Sequence, residues 1–334
     1  MRLLSLTIGF LLVAGCDEEE PVVLIPDFAS RSRAVECEPL PGPDPAPVEV
    51  TRLQPMTDST FLLVDGAGRE LVILDRGGRR IGGVQLSRDG PLGVAMLTDA
   101  AFSSDTLLVV ADGGRQRLRG FDLEWRDLWT LELGFPPQRL AFAGGRLLIA
   151  AAGMDTRLPG LLYAMRGPIA EPLGVPLASH PDGLARLFLN DVMLHGYPDG
   201  SALLAHRFVR PRAWRVDAAN VVSRLTVPLP AAVRDGVGYL PPIPFREEEI
   251  ARIAAPVIAS ASDPRTRDLL YLTRSGRQRE GRSEKALVRA DRDLRYVGSR
   301  LLDVNAVALG YLPADPATAI VVDYENDWFR CEAP

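Results

Sequence analysis

The stretch FLLVDGAG, residues 61–68, is the first of six copies of one local pattern. Each copy has an apolar run, a turn rich in Gly, Pro, Asp or Ser, and a second apolar run. The other copies of the second run are TLLVVADGG (106–114), RLLIAAAG (146–153), SALLAHRF (201–208), DLLYLTRSG (268–276) and TAIVVDYEN (318–326). With Leu62, Leu107, Leu147, Leu203, Leu269 and Ala319 taken as equivalent, the spacings are 45, 40, 56, 66 and 50 residues.

A repeat of this length is typical of a four-stranded blade of a β-propeller. Continuous apolar runs such as LLVV (107–110) fit strands that are covered on both faces. More mixed runs, such as ELVILDR (70–76) and KALVRAD (285–291), fit outer strands. One blade cannot bury both of its faces, whereas blades stacked in a ring can. We therefore predict an all-β fold, a six-bladed β-propeller over residues 33–334.

The second copy, VVADGGRQRLRGFDLEWRDLWTL (109–131), resembles an NHL-type repeat. It has a strand ending in Asp, a Gly-rich turn, an Arg, and another strand ending in Asp. The first copy, LLVDGAGRELVILDRGGRRIGG (62–83), resembles it too, and the other four diverge. The resemblance implies a propeller of the NHL/TolB-like superfamily, a fold that hosts many functions.

The last copy is one strand short. Residues 306–312, 319–324 and 328–332 can supply three strands, and a fourth is needed to cover the edge of the sheet. The segment SRAVECEP (32–39) is strand-like and has no blade of its own. We predict that this N-terminal segment closes the last blade.

This closure would place Cys37 and Cys331 on adjacent strands, within reach of a disulfide. In an oxidising compartment such a bond is expected to persist, and the chain-entropy model gives it about 4–5 kcal/mol of stabilisation. The alternative is two free thiols that pack separately.

The front of the chain reads MRLLSLTIGFLLVAGCDEEE (1–20), with Arg2, a short apolar run and small residues before Cys16. This resembles the lipobox of bacterial lipoproteins. The resemblance implies a signal peptide over 1–15, acylation of Cys16 by palmitate or similar chains, and a stable anchor in a bacterial membrane. Residues 16–32 would be a tether, and the domain would lie in the periplasm or on the cell surface. The alternative is an ordinary signal peptide cut near Ala14.

The composition argues against one class of partner. After residues 1–15 are removed, 37 basic and 43 acidic residues remain, a net charge of −6. Such a chain is not built to bind nucleic acid through phosphates. No cofactor motif is present in the sequence, so we expect no cofactor.

Acidic residues follow several second strands. Asp65, Asp112 and Asp323 would share one rim of the propeller, where they could bind a cation or a basic ligand group. The alternative is turn chemistry, because Asp accepts hydrogen bonds from nearby backbone N–H groups.

The hairpin LFLNDVMLHGYPDGSALLAHRF (187–208) predicts that Asp191 lies opposite His206. Such a pair could raise the pKa of the histidine and act as a base. The alternative is a structural hydrogen bond, since the sequence has no Gly-x-Ser-x-Gly motif to supply a nucleophile.

The longest insertion, about residues 231–256, would cross the same rim. Long insertions on one face of a repeat array often build the binding surface. Tyr239, Phe245 and Glu247 to Glu249 are its candidate contact residues. The alternative is a decorative loop with a solvated charge run.

Three functions remain open from the sequence. The first is a non-catalytic, lipid-anchored envelope protein that binds a protein, peptide or glycan. The second is a metal-dependent hydrolase resembling six-bladed gluconolactonase-like enzymes, with Asn190, Asp191 and Asn305 as possible metal ligands. The third is an envelope assembly factor.

Overall fold

The computed structural model describes residues 22–25, 28–89, 93–103, 106–155, 157–208, 211–231, 233, 257–279, 282–311 and 315–334. The chain begins there with four short elements that precede the first blade. They are β1 (Leu24–Ile25), α1 (Phe28–Arg31), β2 (Arg33–Val35) and β3 (Glu38–Leu40).

The first three blades are four-stranded antiparallel sheets, each with its strands in chain order. Blade 1 has β4 (Val50–Pro55), β5 (Thr60–Asp65), β6 (Glu70–Asp75) and β7 (Arg80–Gln85). Blade 2 has β8 (Leu97–Phe102), β9 (Leu108–Asp112), β10 (Arg117–Phe121) and β11 (Asp127–Glu132). Blade 3 has β12 (Pro137–Ala143), β13 (Arg146–Ala151), β14 (Leu162–Arg166) and β15 (Ile169–Pro172).

The last three blades follow a seven-residue helix, α2 (Gly183–Leu189). Blade 4 has β16 (Val192–Gly196), β17 (Ala202–His206), β18 (Arg212–Val216) and β19 (Val222–Thr226), followed by the short β20 (Leu229–Pro230). Blade 5 has β21 (Ala259–Ser262), β22 (Leu269–Arg279), β23 (Arg282–Ala290) and β24 (Tyr296–Leu302). Blade 6 has β25 (Ala306–Tyr311), β26 (Thr318–Asp323) and β27 (Trp328–Glu332).

The blades form a closed ring. Each innermost strand lies beside the innermost strand of the next blade, and β25 of blade 6 lies beside β4 of blade 1. The second strands are buried on both faces, as Leu62, Leu63 and Val64 show with no measurable exposure. Apolar clusters therefore fill the spaces between blades. The prediction of an all-β, six-bladed propeller is confirmed.

The N-terminal segment closes the last blade as predicted. β3 runs antiparallel to β27, with Leu40 opposite Trp328 and Glu38 opposite Arg330. Cys37, just before β3, forms a disulfide with Cys331, which lies 294 residues along the chain. Both sulfurs are buried in the space between blades 5 and 6.

One detail of that closure differs from the prediction. The segment 32–39 is not one strand, because β2 runs parallel to β24 as a fifth strand of blade 5. The chain then crosses to blade 6, and the amide of Cys37 donates to Asp303 Oδ1 at 3.2 Å during the crossing. One segment therefore covers the outer edges of two neighbouring blades, and both edges are protected.

The predicted tether over residues 16–32 is too long. Ile25 and Phe28 are buried in the apolar cluster between blades 4 and 5. β1 pairs with β20, and Ser32 Oγ donates to the Phe28 carbonyl at 2.8 Å, which holds α1 in place. Apolar side chains in this part of the chain gain more from burial than from solvation, so residues 22–25 and 28–32 pack against the propeller.

Because the disulfide closes nearly the whole domain into one loop, removing it should be costly. We expect the Cys37→Ser, Cys331→Ser double variant to lose about 4–5 kcal/mol of unfolding free energy. Guanidinium denaturation of the wild type and the variant, both non-reduced, measures the difference. A loss below about 1 kcal/mol would show that strand pairing alone closes the ring.

Candidate functional site

The two ends of the ring carry different connections between strands. The top rim is the end where the chain arrives at each innermost strand and where second strands turn into third strands. The bottom rim carries the turns that leave the innermost strands and those that leave the third strands. Asp65, Asp112, Asp191 and Asp323 all lie at the top rim.

Asp65 holds two loops of blade 1 together. It is almost fully buried, and its carboxylate accepts hydrogen bonds from the backbone N–H groups of Val48 (2.7 Å), Glu49 (3.1 Å) and Gly68 (2.7 Å). The first two lie on the loop that arrives at β4, and the third lies on the turn after β5. Both carboxylate oxygens are therefore used within the blade.

Asp112 does the same in blade 2. Its Oδ1 accepts from the amides of Ala95 and Met96, both at 3.1 Å, and its Oδ2 pairs with Arg117 Nε at 3.2 Å. Asp323 is half-buried, and its Oδ1 accepts from the amides of Glu325 (2.8 Å) and Asp327 (3.0 Å). The turn chemistry that stood as the alternative accounts for these contacts.

The turn around Asp323 belongs to a set that recurs through the molecule. In each, an Asp at the end of a strand accepts from the backbone two and four residues further on, and a residue with positive φ lies between them. The other members begin at Asp75, Asp122, Asp217 and Asp291, with positive φ at Gly78, Trp125, Asn220 and Leu294. These four Asp residues form turns at the bottom rim, where third strands end, whereas Asp323 forms the same kind of turn at the top rim.

The predicted Asp191–His206 pair does not form. His206 lies opposite Val192, and it is Arg207 whose amide bonds the Asp191 carbonyl at 2.9 Å. This one-residue shift turns the two side chains to opposite faces of the sheet. His206 is buried near Trp214 and donates from Nδ1 to the Leu189 carbonyl at 2.9 Å.

Asp191 is instead held by cations and an amide. Its Oδ2 pairs with Arg207 Nη1 at 3.0 Å, and its Oδ1 accepts from Gln138 Nε2 at 3.2 Å. Arg139 Nη2 lies 3.9 Å from the same carboxylate. The surroundings of this acid are therefore positively charged.

The residues proposed as metal ligands do not fit a divalent ion. Asn190 is fully buried, and its amide is used at both ends, accepting from Ala178 N (2.7 Å) and donating to the carbonyls of Ala178 and Arg186. Asp191 is engaged as described, and Asn305 is half-buried just before β25. Within the described ranges, no group of three or more His, Cys, Asp or Glu side chains could hold a metal ion.

The insertion at about 231–256 was predicted to carry further contact residues. Tyr239, Phe245 and Glu247 to Glu249 lie outside the described residues.

The central channel is blocked by Arg52 of blade 1. Its Nη1 donates to Asp99 Oδ2 of blade 2 at 2.5 Å and to the Leu140 carbonyl of blade 3 at 2.7 Å. Its Nη2 donates to the Leu194 carbonyl of blade 4 at 2.9 Å. One guanidinium therefore joins four of the six blades across the axis.

A second contact crosses the channel beside Arg52. His195 Nε2 of blade 4 lies 2.7 Å from Ser260 Oγ of blade 5. Burial and the nearby charge of Arg52 lower the pKa of His195 to about 3. The imidazole is therefore neutral at ordinary pH and is a weak proton acceptor.

The channel is closed in its middle and opens at both ends. The space at the top rim, near Thr51, Arg139 and Met193, is about 120 Å³. The space at the bottom rim, near Met56, Phe102 and Phe142, is about 340 Å³. A third cavity of about 450 Å³ lies at the bottom rim between blades 4 and 5. These cavities of about 340 and 450 Å³ both open at the bottom rim, opposite the rim that the sequence favoured.

The sequence reasoning missed Arg52, Asp99, His195 and Ser260. Each is a polar residue in an innermost strand, as in VTRLQP (50–55) and LTDAAF (97–102). Alternate residues of such strands face the channel, so polar residues there were a usable signal.

Comparisons with known proteins support the fold and no more. No family model and no curated protein matches the sequence. A member of the DUF4221 family from Bacteroides vulgatus has a TM-score of 0.57 at 8% identity, over 90% of this chain and 96% of that one. A Bacteroides fragilis protein described as exported has a TM-score of 0.56 at 9% identity, over 93% and 97%. The RRP9 WD40 repeats have a TM-score of 0.54 at 12% identity, over 89% and 97%.

Across the residues that the structure describes, no helix is both long and apolar enough to cross a bilayer.

We expect Arg52→Met to destabilise the propeller by about 3–5 kcal/mol, because it leaves the buried Asp99 carboxylate without a cation. The Arg52→Met, Asp99→Asn double variant should recover a large part of that loss, since it removes the uncompensated charge. A double-mutant cycle by chemical denaturation measures the coupling between the two residues. Additive effects would show that the pair is not coupled.

His195 should make stability depend on pH. Its pKa is about 3 in the folded chain and about 6.5 when unfolded, so the unfolded state binds the proton first as pH falls. The unfolding free energy that depends on His195 staying neutral is fully present above pH ~6.5 and is lost as the pH falls from there toward ~3. We expect wild type to lose about 2 kcal/mol more than His195→Gln between pH 7 and pH 5. Equal losses of unfolding free energy in the two proteins would show that His195 is not held neutral in the folded chain.

Proposed function

We propose that this chain is a lipid-anchored β-propeller of the bacterial cell envelope that acts as a non-catalytic binding or scaffold protein. Its ligand would be a protein, a peptide or a glycan. The signal-like segment with Cys16 supports the anchor, and the buried Cys37–Cys331 disulfide is compatible with an oxidising, extracytoplasmic compartment. No step of a reaction is part of this proposal.

One observation carries the binding role. Two cavities, of about 340 and 450 Å³, open at the same bottom rim of a ring that is closed covalently. Ligand sites are usually concave and largely preformed, with apolar walls and a few placed polar groups. Phe102, Phe142 and Met56 at the channel mouth, with Gln54 among them, have that character.

The polar groups of the top rim support the same choice of face. Asp65, Asp112 and Asp191 are already bonded to backbone amides or guanidinium groups of this chain. A ligand that bound them would first have to displace those partners, at a cost of an unmade buried hydrogen bond each time. The hydrolase alternative is not favoured, since the side chains of Asn190 and Asp191, two of its three expected metal ligands, are already bonded within the protein.

The anchor can be tested directly. We expect the full chain, expressed in a bacterium fed an alkyne palmitate analogue, to incorporate the label and to fractionate with membranes. Cys16→Ser should lose both the label and the membrane association. Cys37→Ser, Cys331→Ser is the matched control and should keep both. A labelled or membrane-bound Cys16→Ser variant would contradict acylation at this residue.

A further inference from the structure

The larger bottom-rim cavity is a cleft between blades 4 and 5, with a volume of about 450 Å³. Blade 4 contributes the turns at 197–201 and 217–219, and blade 5 contributes Arg267 and the turn at 292–293. The cleft lies away from the central channel and shares no residue with the channel mouth. The residues that could contact a ligand in the cleft are therefore different from those of the channel.

Two ion pairs fix the walls of this cleft. Arg215 Nη1 of blade 4 pairs with Asp293 Oδ1 of blade 5 at 2.9 Å. Arg267 Nη1 of blade 5 pairs with Asp199 Oδ2 of blade 4 at 2.9 Å. The pairs run in opposite directions between the same two blades, so the charged groups are held in place before any ligand arrives.

Donor capacity remains unused on both walls of the cleft. Arg215 Nη2 is buried and has no hydrogen-bond partner among the described residues. Arg292 is 64% exposed, and its nearest carboxylate, that of Asp293, is 3.9 Å away. Arg215 lies on the blade 4 wall and Arg292 on the blade 5 wall. A guanidinium group suits a carboxylate of a ligand, which is the acceptor that matches its planar donors.

Acceptor capacity remains on the blade 4 wall. Asp217 is exposed, and its Oδ1 is used by the amides of Ala219 (2.9 Å) and Val221 (2.8 Å). Its Oδ2 has no protein partner in the described part of the chain. Ionised Asp accepts and does not donate, so this wall suits ligand hydroxyl groups.

The charge balance argues against a simple anion. Asp199, Asp217 and Asp293 offset Arg215, Arg267 and Arg292, so the cleft has no net charge at neutral pH. Phosphate would meet carboxylate repulsion as well as guanidinium attraction. A ligand with one carboxylate and several hydroxyl groups meets both walls favourably, and Leu203 and Ala218 add apolar surface for its ring.

We propose that the cleft between blades 4 and 5 binds a uronic-acid saccharide, with its carboxylate on Arg215 and Arg292 and its hydroxyl groups on Asp217. This deepens the proposed function, because it names a ligand class for the binding face. It does not depend on the lipid anchor.

The test is calorimetric titration of the purified full chain in detergent with glucuronate, glucose, acetate and phosphate. We expect glucuronate to bind at least about tenfold more tightly than each of the other three, since charged hydrogen bonds contribute most to such sites. Arg292→Gln should weaken glucuronate about tenfold, because it removes a guanidinium that supports neither ion pair. Asp217→Asn should weaken glucuronate as well.

Arg295→Gln is the matched control, because it changes an exposed Arg of the same turn that does not line the cleft. It should bind glucuronate as the wild type does. The inference is overturned if glucuronate does not bind at tens of millimolar, if phosphate or acetate binds as tightly, or if Arg292→Gln and Asp217→Asn both bind normally. If Cys16 is acylated, such a result would contradict only the saccharide ligand and would leave the proposed lipid-anchored scaffold standing.

Discussion

The pairing of β3 with β27 is the constraint on which the rest of the molecule depends. The first and last blades of a propeller must pack against each other to close the ring, because no other sheet covers their facing sides. Here the N-terminal segment supplies the missing edge strand of blade 6, and the Cys37–Cys331 disulfide fixes that pairing covalently. The same segment also adds β2 to blade 5, so one short stretch of chain protects two edges.

A second constraint acts at the axis. The innermost strands of a propeller present polar backbone and side chains to a narrow channel, where unpaired groups are costly. Arg52 satisfies a carboxylate and two carbonyls from three other blades, and His195 bonds Ser260 beside it. Packing between blades and these channel contacts therefore act together to fix the spacing of the ring.

The sequence predicted the repeat, the six blades, the closing strand and the disulfide, because each follows from periodicity or from an unpaired edge. It did not predict the split between β2 and β3, because both halves of that segment are strand-like. It placed Asp191 opposite His206, and a turn one residue longer at the hairpin moved the pair to opposite faces. The sequence proposed acids at one rim, but a sequence cannot show that backbone amides already bond to Asp65, Asp112 and Asp323. Those amides are brought there by loops whose paths depend on the whole blade.

The hydrogen bonds and ion pairs already formed within the protein decide which face is available for a ligand. At the top rim, Asp65 and Asp112 hold loops together, and Arg207 and Gln138 hold Asp191. In the middle, Arg52 separates the two ends of the channel, so a ligand at one rim has no open path to the other. At the bottom rim, by contrast, Arg215 and Arg292 keep donors that no described group of the protein uses. A binding surface needs such unspent groups on a rigid support, and the cleft between blades 4 and 5 has both Arg215 and Arg292 beside it.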